Sequence, residues 1–442
     1  MIKASAGLDL SSFNSYLNSC QQILQQELGG YKKTDMLDEA EINSYPRLQS
    51  LQPPRHIITL ESLVNPADIG AQVERVIEGR VLWEHTCAGE ATRLGLGAKY
   101  LVVPPKHLTP QALGRDADLG RPLTVQPQQL TPLSLGQRHM LQLSWNLWRM
   151  AVSLDIEPRQ VLSRQYLLII VNQHSSDDII DDFIKAAFYG FKRQQVFFMI
   201  QRSFPGFAVD DAGQWYLDEN SPRRLHNHGQ MIMQTTMDNQ LFHLDDSNER
   251  HYLSWNDYYD LLKQMTDKVS FNIEDLDYLL NPIDMQGLAA CYKLGQQGYQ
   301  MVMEVVLNDP EAPIKGGACC YDPVLGHDVM IESFQLKNVT PEQIIYLNKN
   351  VNHYPFPDQA MSILRAQGLN MPVTVQEKHV YFQPVQGDIN FLVKTAFVRR
   401  SDIKPIRSWK SGRHTPEALE FMLQQDQHPG FLSWAHELTG LL

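Results

Sequence analysis

Val81-Leu-Trp-Glu-His-Thr-Cys-Ala-Gly-Glu-Ala-Thr-Arg-Leu-Gly-Leu-Gly-Ala-Lys99 begins as a short apolar strand and runs into a loop of small residues. Small side chains after a strand let backbone N–H groups approach a phosphate, and Arg93 and Lys99 can neutralise its charge. A tight turn uses the same small residues, so the loop alone leaves two readings open. The alternation it starts continues downstream. Tyr166-Leu-Leu-Ile-Ile-Val171, Val196-Phe-Phe-Met-Ile200 and Met301-Val-Met-Glu-Val-Val306 are short, apolar and contain β-branched residues, which predicts central strands. Met140, Leu143, Leu147, Met150 and Leu154 recur at helical spacing, and Trp145 with Trp148 is expected as a core-packed pair. The pattern is that of an α/β protein with a largely parallel sheet under covering helices.

The flanks are simpler. The stretch to about Ser50 is polar and Gln-rich, with Leu17, Leu24 and Leu28 on one helical face, and Pro53-Pro54 ends it. Three segments are therefore expected: a helical lead-in over 1–75, the α/β core over 76–375 and a small C-terminal segment over 376–442. In that last segment Thr415 to Gln424 has helical character, too little for a long β-helix domain. The Pro- and Gln-rich tract from Pro104 to Pro132 is predicted to be a surface excursion.

Composition narrows the partners. Thirty-eight Lys and Arg against 50 Asp and Glu give a net charge of -12, which repels nucleic acid and anionic membranes. No signal-peptide core and no apolar run of roughly 18 residues is present, so a cytoplasmic protein with no membrane partner is expected. Cys20, Cys87, Cys291, Cys319 and Cys320 form an odd set without C-x-x-C spacing, and predict free buried thiols rather than disulfides or a zinc site.

Further motifs carry a family resemblance. Thr92-Arg-Leu-Gly95 followed by Lys99 resembles the signature loop of sugar nucleotidyltransferases, with Ala88, Ala91 and Ala98 standing where glycines and a proline are usual. Phe198-Met-Ile-Gln201 with Pro205, and Leu225-His-Asn-His228-Gly229-Gln230, are similar to uracil-reading and sugar-phosphate segments of UDP-glucose and UDP-sugar pyrophosphorylases. A side-chain amide suits uracil, which offers a donor and acceptors on its edge. Asn272-Ile-Glu274-Asp275 resembles the strand-end acidic motif of the same enzymes. Glu332, the Asn-rich Leu347–His353 segment and Val398-Arg-Arg-Ser-Asp-Ile-Lys-Pro-Ile-Arg407 follow in family order, with Arg407 at the position of a lysine.

The resemblance, to the UTP:sugar-1-phosphate uridylyltransferases, implies a Rossmann-like, GT-A-like mixed sheet flanked by helices, with 76–375 as the nucleotidyltransferase core. It implies UTP and a sugar 1-phosphate, or a UDP-sugar, as ligands and Mg²⁺ as cofactor. By position, Arg93, Lys99 and Arg407 would neutralise phosphates, while Ala88, Gly89, Gln201 and Gly229 would hold the nucleotide. His228, Glu332 and Asn350 would hold the sugar, and Glu274 and Asp275 the metal. His226 with His228 could instead be a metal-binding pair. The substituted glycines, Gln230 in place of an acid and Arg407 in place of a lysine keep a second function open, that of an inactive or repurposed homologue binding nucleotide or sugar. Oligomeric state and the identity of the sugar are not encoded in these motifs.

Overall fold

A computed structural model of the chain describes residues 8–43, 51–89, 96–115, 119–311, 313–336, 339–405, 407–409 and 412–441. Arg93 lies outside these residues. The first strands are β1 (Ile57–Thr59), β2 (Val81–Thr86), β3 (Tyr166–Asn172), β4 (Val196–Gln201), β5 (Ser203–Phe204), β6 (Phe207–Val209), β7 (Trp215–Leu217), β8 (Arg224–Leu225) and β9 (Leu241–Leu244). They continue as β10 (Arg250–Tyr252), β11 (Asp267–Asn272), β12 (Met301–Leu307), β13 (Gly317–Asp322), β14 (His327–Glu332), β15 (Tyr346–Pro355), β16 (Val373–Gln376), β17 (His379–Phe382) and β18 (Thr395–Arg399).

Twelve of these strands form one sheet, ordered β1-β18-β12-β15-β11-β2-β3-β4-β9-β10, with the β13–β14 hairpin attached through β15. β11-β2-β3-β4 and β1-β18-β12 are parallel runs, but β15 is antiparallel to both β11 and β12, and β9 antiparallel to β4, so the sheet is mixed. The segments read as central strands are β3, β4 and β12. Side chains alternate across a strand. Val81, Trp83, Leu167, Ile169 and Phe198 therefore enter one core, and Leu82, Leu168, Ile170, Phe197 and Met199 the other. Both faces are covered, which explains the nearly continuous apolar runs. β16-β17-β6-β7 and β5-β8 make two small sheets.

The helix Leu135–Ser153 covers the first face. Ser134 accepts from the Gln137 N–H and Gln137 returns a bond to the Ser134 backbone, a capping box that fixes where the helix starts. Its Met140, Leu143, Leu147 and Ala151 are buried. Trp145 and Trp148 are partly buried against this core, as expected. Each sits on Trp434, at 4.9 and 6.0 Å between ring centroids, so the aromatic contact joins this helix to Phe431–Thr439. On the second face the helix Phe13–Leu28 buries Tyr16, Cys20, Ile23 and Leu24.

The tract 104–132 is docked, not a free excursion. Leu108, Val125 and Leu130 are buried, Arg121 pairs with Glu420 at 2.5 Å, and the Thr131 N–H donates to Asp426. The sheet also crosses the expected segment boundaries, since β1 comes from before residue 76 and β18 from after residue 375. All five cysteines are free and buried. Among the described residues no helix is long and apolar enough to cross a membrane.

Candidate functional site

Parallel strands place their C-terminal ends along one edge of a sheet, where ligands of open α/β folds sit. Here Thr86 of β2 stands beside Asn272 of β11, and Asn172 of β3 beside Gln201 of β4. The Thr86 hydroxyl donates to the side-chain oxygen of Asn272, joining two of the ends. Asn172 donates to the Ala88 carbonyl at 2.9 Å and so fixes the start of the loop. At the loop's other end, Lys99 N donates to the Gly89 carbonyl at 3.2 Å.

Two glycines read from the sequence have different reasons to be glycine. Among the described residues a Cβ on Gly89 would meet nothing nearer than the Lys99 side chain at 3.9 Å, so no described neighbour demands a glycine there. A Cβ on Gly229 would lie 2.3 Å from the Pro384 carbonyl carbon. Gly229 is held by the backbone it touches, donating its N–H to Pro384 O at 2.9 Å.

Lys99 reaches across to Glu274 and forms an ion pair with it, the two side chains being 12% and 9% exposed. The strand end that carries Glu274 is laced to the segment after β18. Trp409 N donates to Glu274 O, Leu276 N donates to Arg407 O, and Asp275 bridges to Ser408. The lacing brings Arg407 to Asp277 and, at 3.2 Å, to Glu417. Beyond it the network continues. Lys349 bonds Asp277 at 3.0 Å and Glu304 at 3.2 Å, and Arg400 pairs with Asp284 and with Glu304 at 3.3 Å. Asp277, Asp284, Glu304, Lys349, Arg400 and Arg407 line a cleft of about 330 Å³.

Burial pushes the Asp275 carboxyl up to about 7, with Asp277 and Glu304 adding to the rise against the pull of Lys349. Burial alone would lower Lys349, but Glu304, Asp275 and Asp277 hold it above its ordinary range. Among the described residues six carboxyl groups (Glu274, Asp275, Asp277, Asp284, Glu304, Glu417) meet four cations (Lys99, Lys349, Arg400, Arg407) along this edge. Within that described set the excess is acidic, and such oxygen donors suit a hard dication.

A second, much smaller cleft of about 10 Å³ lies between Thr86, His228, Asn272, Asn348, Asn350 and Gln386. It brings His228 and Asn350 together. Gln386 N donates to His228 Nδ1 at 2.9 Å, which leaves the proton of a neutral ring on Nε2. Asn350 adopts a left-handed backbone, φ 63, and its N–H donates to the Asn348 side chain. Gln201 lies beside this region with its amide donating to Asn227 O at 2.8 Å. Glu332 lines neither cleft. It stands opposite Gly317 on the β13–β14 hairpin. His226 and His228 do not converge on a metal. His226 is buried against the Tyr16 hydroxyl at 3.1 Å, burial drives its pKa down to about 3, and no third ligand joins the two among the described residues.

Sequence reasoning missed Asp277, Asp284, Glu304, Lys349 and Arg400. Glu304 was readable as the one acid in an otherwise apolar strand, and Lys349 as the one cation in an Asn-rich run. Nothing in their spacing tells that they meet.

No protein-family model and no curated protein matches the sequence. Solved structures do. The UDP-N-acetylglucosamine pyrophosphorylase of Trypanosoma brucei, in complex with an inhibitor, superposes with a TM-score of 0.59 over 97% of this chain and 83% of its own, at 13% identity. A variant of Leishmania major UDP-glucose pyrophosphorylase gives 0.56 over 92% and 77%, also at 13% identity. Another variant of that enzyme, in complex with UDP-glucose, gives 0.54 over the same shares. The chain has the fold of the UDP-sugar pyrophosphorylases.

Proposed function

We propose that the chain is a Mg²⁺-dependent uridylyltransferase that joins UTP and a sugar 1-phosphate to give a UDP-sugar and pyrophosphate. One observation carries the reading. The Lys99 loop, the Glu274–Asp275 strand end and the Arg407 segment, far apart in sequence, are bonded to one another along the C-terminal edge of the sheet.

In the reaction a sugar-phosphate oxygen attacks the α-phosphorus of UTP, a new P–O bond forms, and the bond to the β-phosphate bridging oxygen breaks as pyrophosphate leaves. Such transfer needs alignment and charge neutralisation more than covalent help. Lys99 and Arg407, now held by carboxylates, would exchange those partners for phosphate oxygens, and Arg93 would join them from the loop. Ala88 and Gly89 would leave room for the phosphates, Gln201 and Gly229 would flank the base, and His228 and Asn350 would meet the sugar.

The donor set fits Mg²⁺, which takes one or two carboxylates and completes its shell with water and phosphate oxygens. Glu274 or Asp275 would hold the ion, and the ion would supply positive charge between the phosphates. Asp275, a buried acid whose pKa burial raises, is the sort of group a dication would hold ionised.

The second reading, a repurposed or inactive homologue, is favoured by a specific observation: each cation of the larger cleft already has a carboxylate partner. Pyrophosphate release, measured with UTP, other nucleoside triphosphates and a panel of sugar 1-phosphates, separates the two. Release with UTP and one sugar phosphate supports transfer. Binding of UTP or a UDP-sugar without release across the panel supports the second reading.

A further inference from the structure

Asp267 opens β11, at the opposite end of that strand from Asn272. In the antiparallel pairing of β11 with β15, Val269 stands against His353 and Asp267 against Pro355. Residues two apart share a face, so Asp267 and His353 are diagonal neighbours on one side of the sheet. The helix Met285–Gln296 lies over that side, and its Cys291 packs in the cluster that holds Val302, the β12 partner of His353. Carboxylate, imidazole and thiol are thereby enclosed together.

We propose that Asp267, Cys291 and His353 form a binding site for a divalent transition-metal ion of the zinc class, pinning this helix to the sheet. One donor atom from each residue lies within 4.8 Å of the other two, and all three residues are buried. Bonds of about 2.0–2.3 Å to a tetrahedral ion put its ligand atoms roughly 3.5 Å apart. Closure onto an ion therefore needs only small rotations, and the Asp267–His353 contact, 2.7 Å at present, must widen. A second observation points to a ligand. Among the described residues, Oδ1 of Asp267 is buried and has no hydrogen-bond partner, a state that is costly in a protein interior.

The charges close. A thiolate, a carboxylate and a neutral imidazole around a dication sum to zero. Without metal, the same neutrality requires a thiol and an imidazolium paired with Asp267. Uptake of the ion thus releases two protons, one from Cys291 Sγ and one from His353. Thiolate and imidazole choose zinc over magnesium, so this ion would be distinct from one at the nucleotide edge.

The test uses the full chain, stripped with a chelator and titrated with Co²⁺, followed by zinc exchange and elemental analysis. Expected are one metal per chain, a thiolate-to-cobalt charge-transfer band, its loss in Cys291→Ser, and a higher melting temperature with Zn²⁺ in the wild type only. A stripped wild type that stays folded by circular dichroism yet gives no band and no stoichiometric zinc overturns the proposal and leaves a buried Asp–His ion pair beside a thiol. A band that persists in Cys291→Ser overturns it as well. Should the variant fail to fold, the wild-type titration still decides.

Discussion

Lys99 illustrates how a residue placed for charge becomes part of the structure. Its ion pair with Glu274 is nearly enclosed, so removing only the lysine takes a cation away from a buried carboxylate. Lys99→Ala should lose about 3 kcal/mol of stability and, under the proposed function, roughly a hundredfold in kcat/KM. Adding Glu274→Gln should restore most of the melting temperature and none of the transfer. An unchanged melting temperature in the single variant would show that the pair is not enclosed in solution. Asp275 makes a separate prediction from its pKa of about 7, raised by burial. A carboxyl whose folded pKa lies above its unfolded value binds more protons folded than unfolded between the two. Its contribution therefore falls as pH rises from about 4 to 7, by up to about 1.4 kcal/mol per unit. Asp275→Asn should gain stability relative to wild type at pH 8 compared with pH 5 in urea titrations. Parallel curves for the two proteins would reject the assignment.

At the scale of elements, the two glycines of the site should separate packing from ligand access. Gly229→Ala drives a methyl into the Pro384 backbone, and should cost about 2 kcal/mol because backbone cannot step aside as a flexible side chain can. Gly89→Ala meets open space and should leave the melting temperature within about 0.5 kcal/mol of wild type. If phosphates pass that loop, Gly89→Ala should still raise KM for UTP. Equal melting losses in the two variants, measured by differential scanning fluorimetry, would contradict this contrast. Strand β2 shows where reading by element succeeds and where it stops. Its position before the loop was legible from Val81, Leu82 and Trp83, yet all six of its residues are buried, Glu84 and His85 included. Glu84 is tolerated because Lys268 of β11 pairs with it at 2.7 Å. That partner lies on a strand distant in sequence, so no local pattern announces it.

For the whole molecule, the order of motifs along the chain was readable because family order and strand periodicity are one-dimensional properties. The cleft was not, because Lys349, Arg400 and Glu304 acquire their roles only when β15, β18 and β12 are brought side by side. The proposed function predicts that UTP with Mg²⁺ raises the melting temperature more than ATP with Mg²⁺, since ligands that bind only the folded state stabilise it. Identical shifts would count against a uridine site. The pairing of β1 with β18 has a consequence in time. A chain made from its N-terminus produces Ile57–Thr59 long before Thr395–Arg399, the strand that joins β1 to β12. Throughout that interval on the ribosome one border of the sheet has no template to dock on, and the exposed segment depends on chaperones or on speed of synthesis. Nascent chains arrested before residue 395 should therefore be cut by protease near β1, and chains released past residue 405 should be protected there.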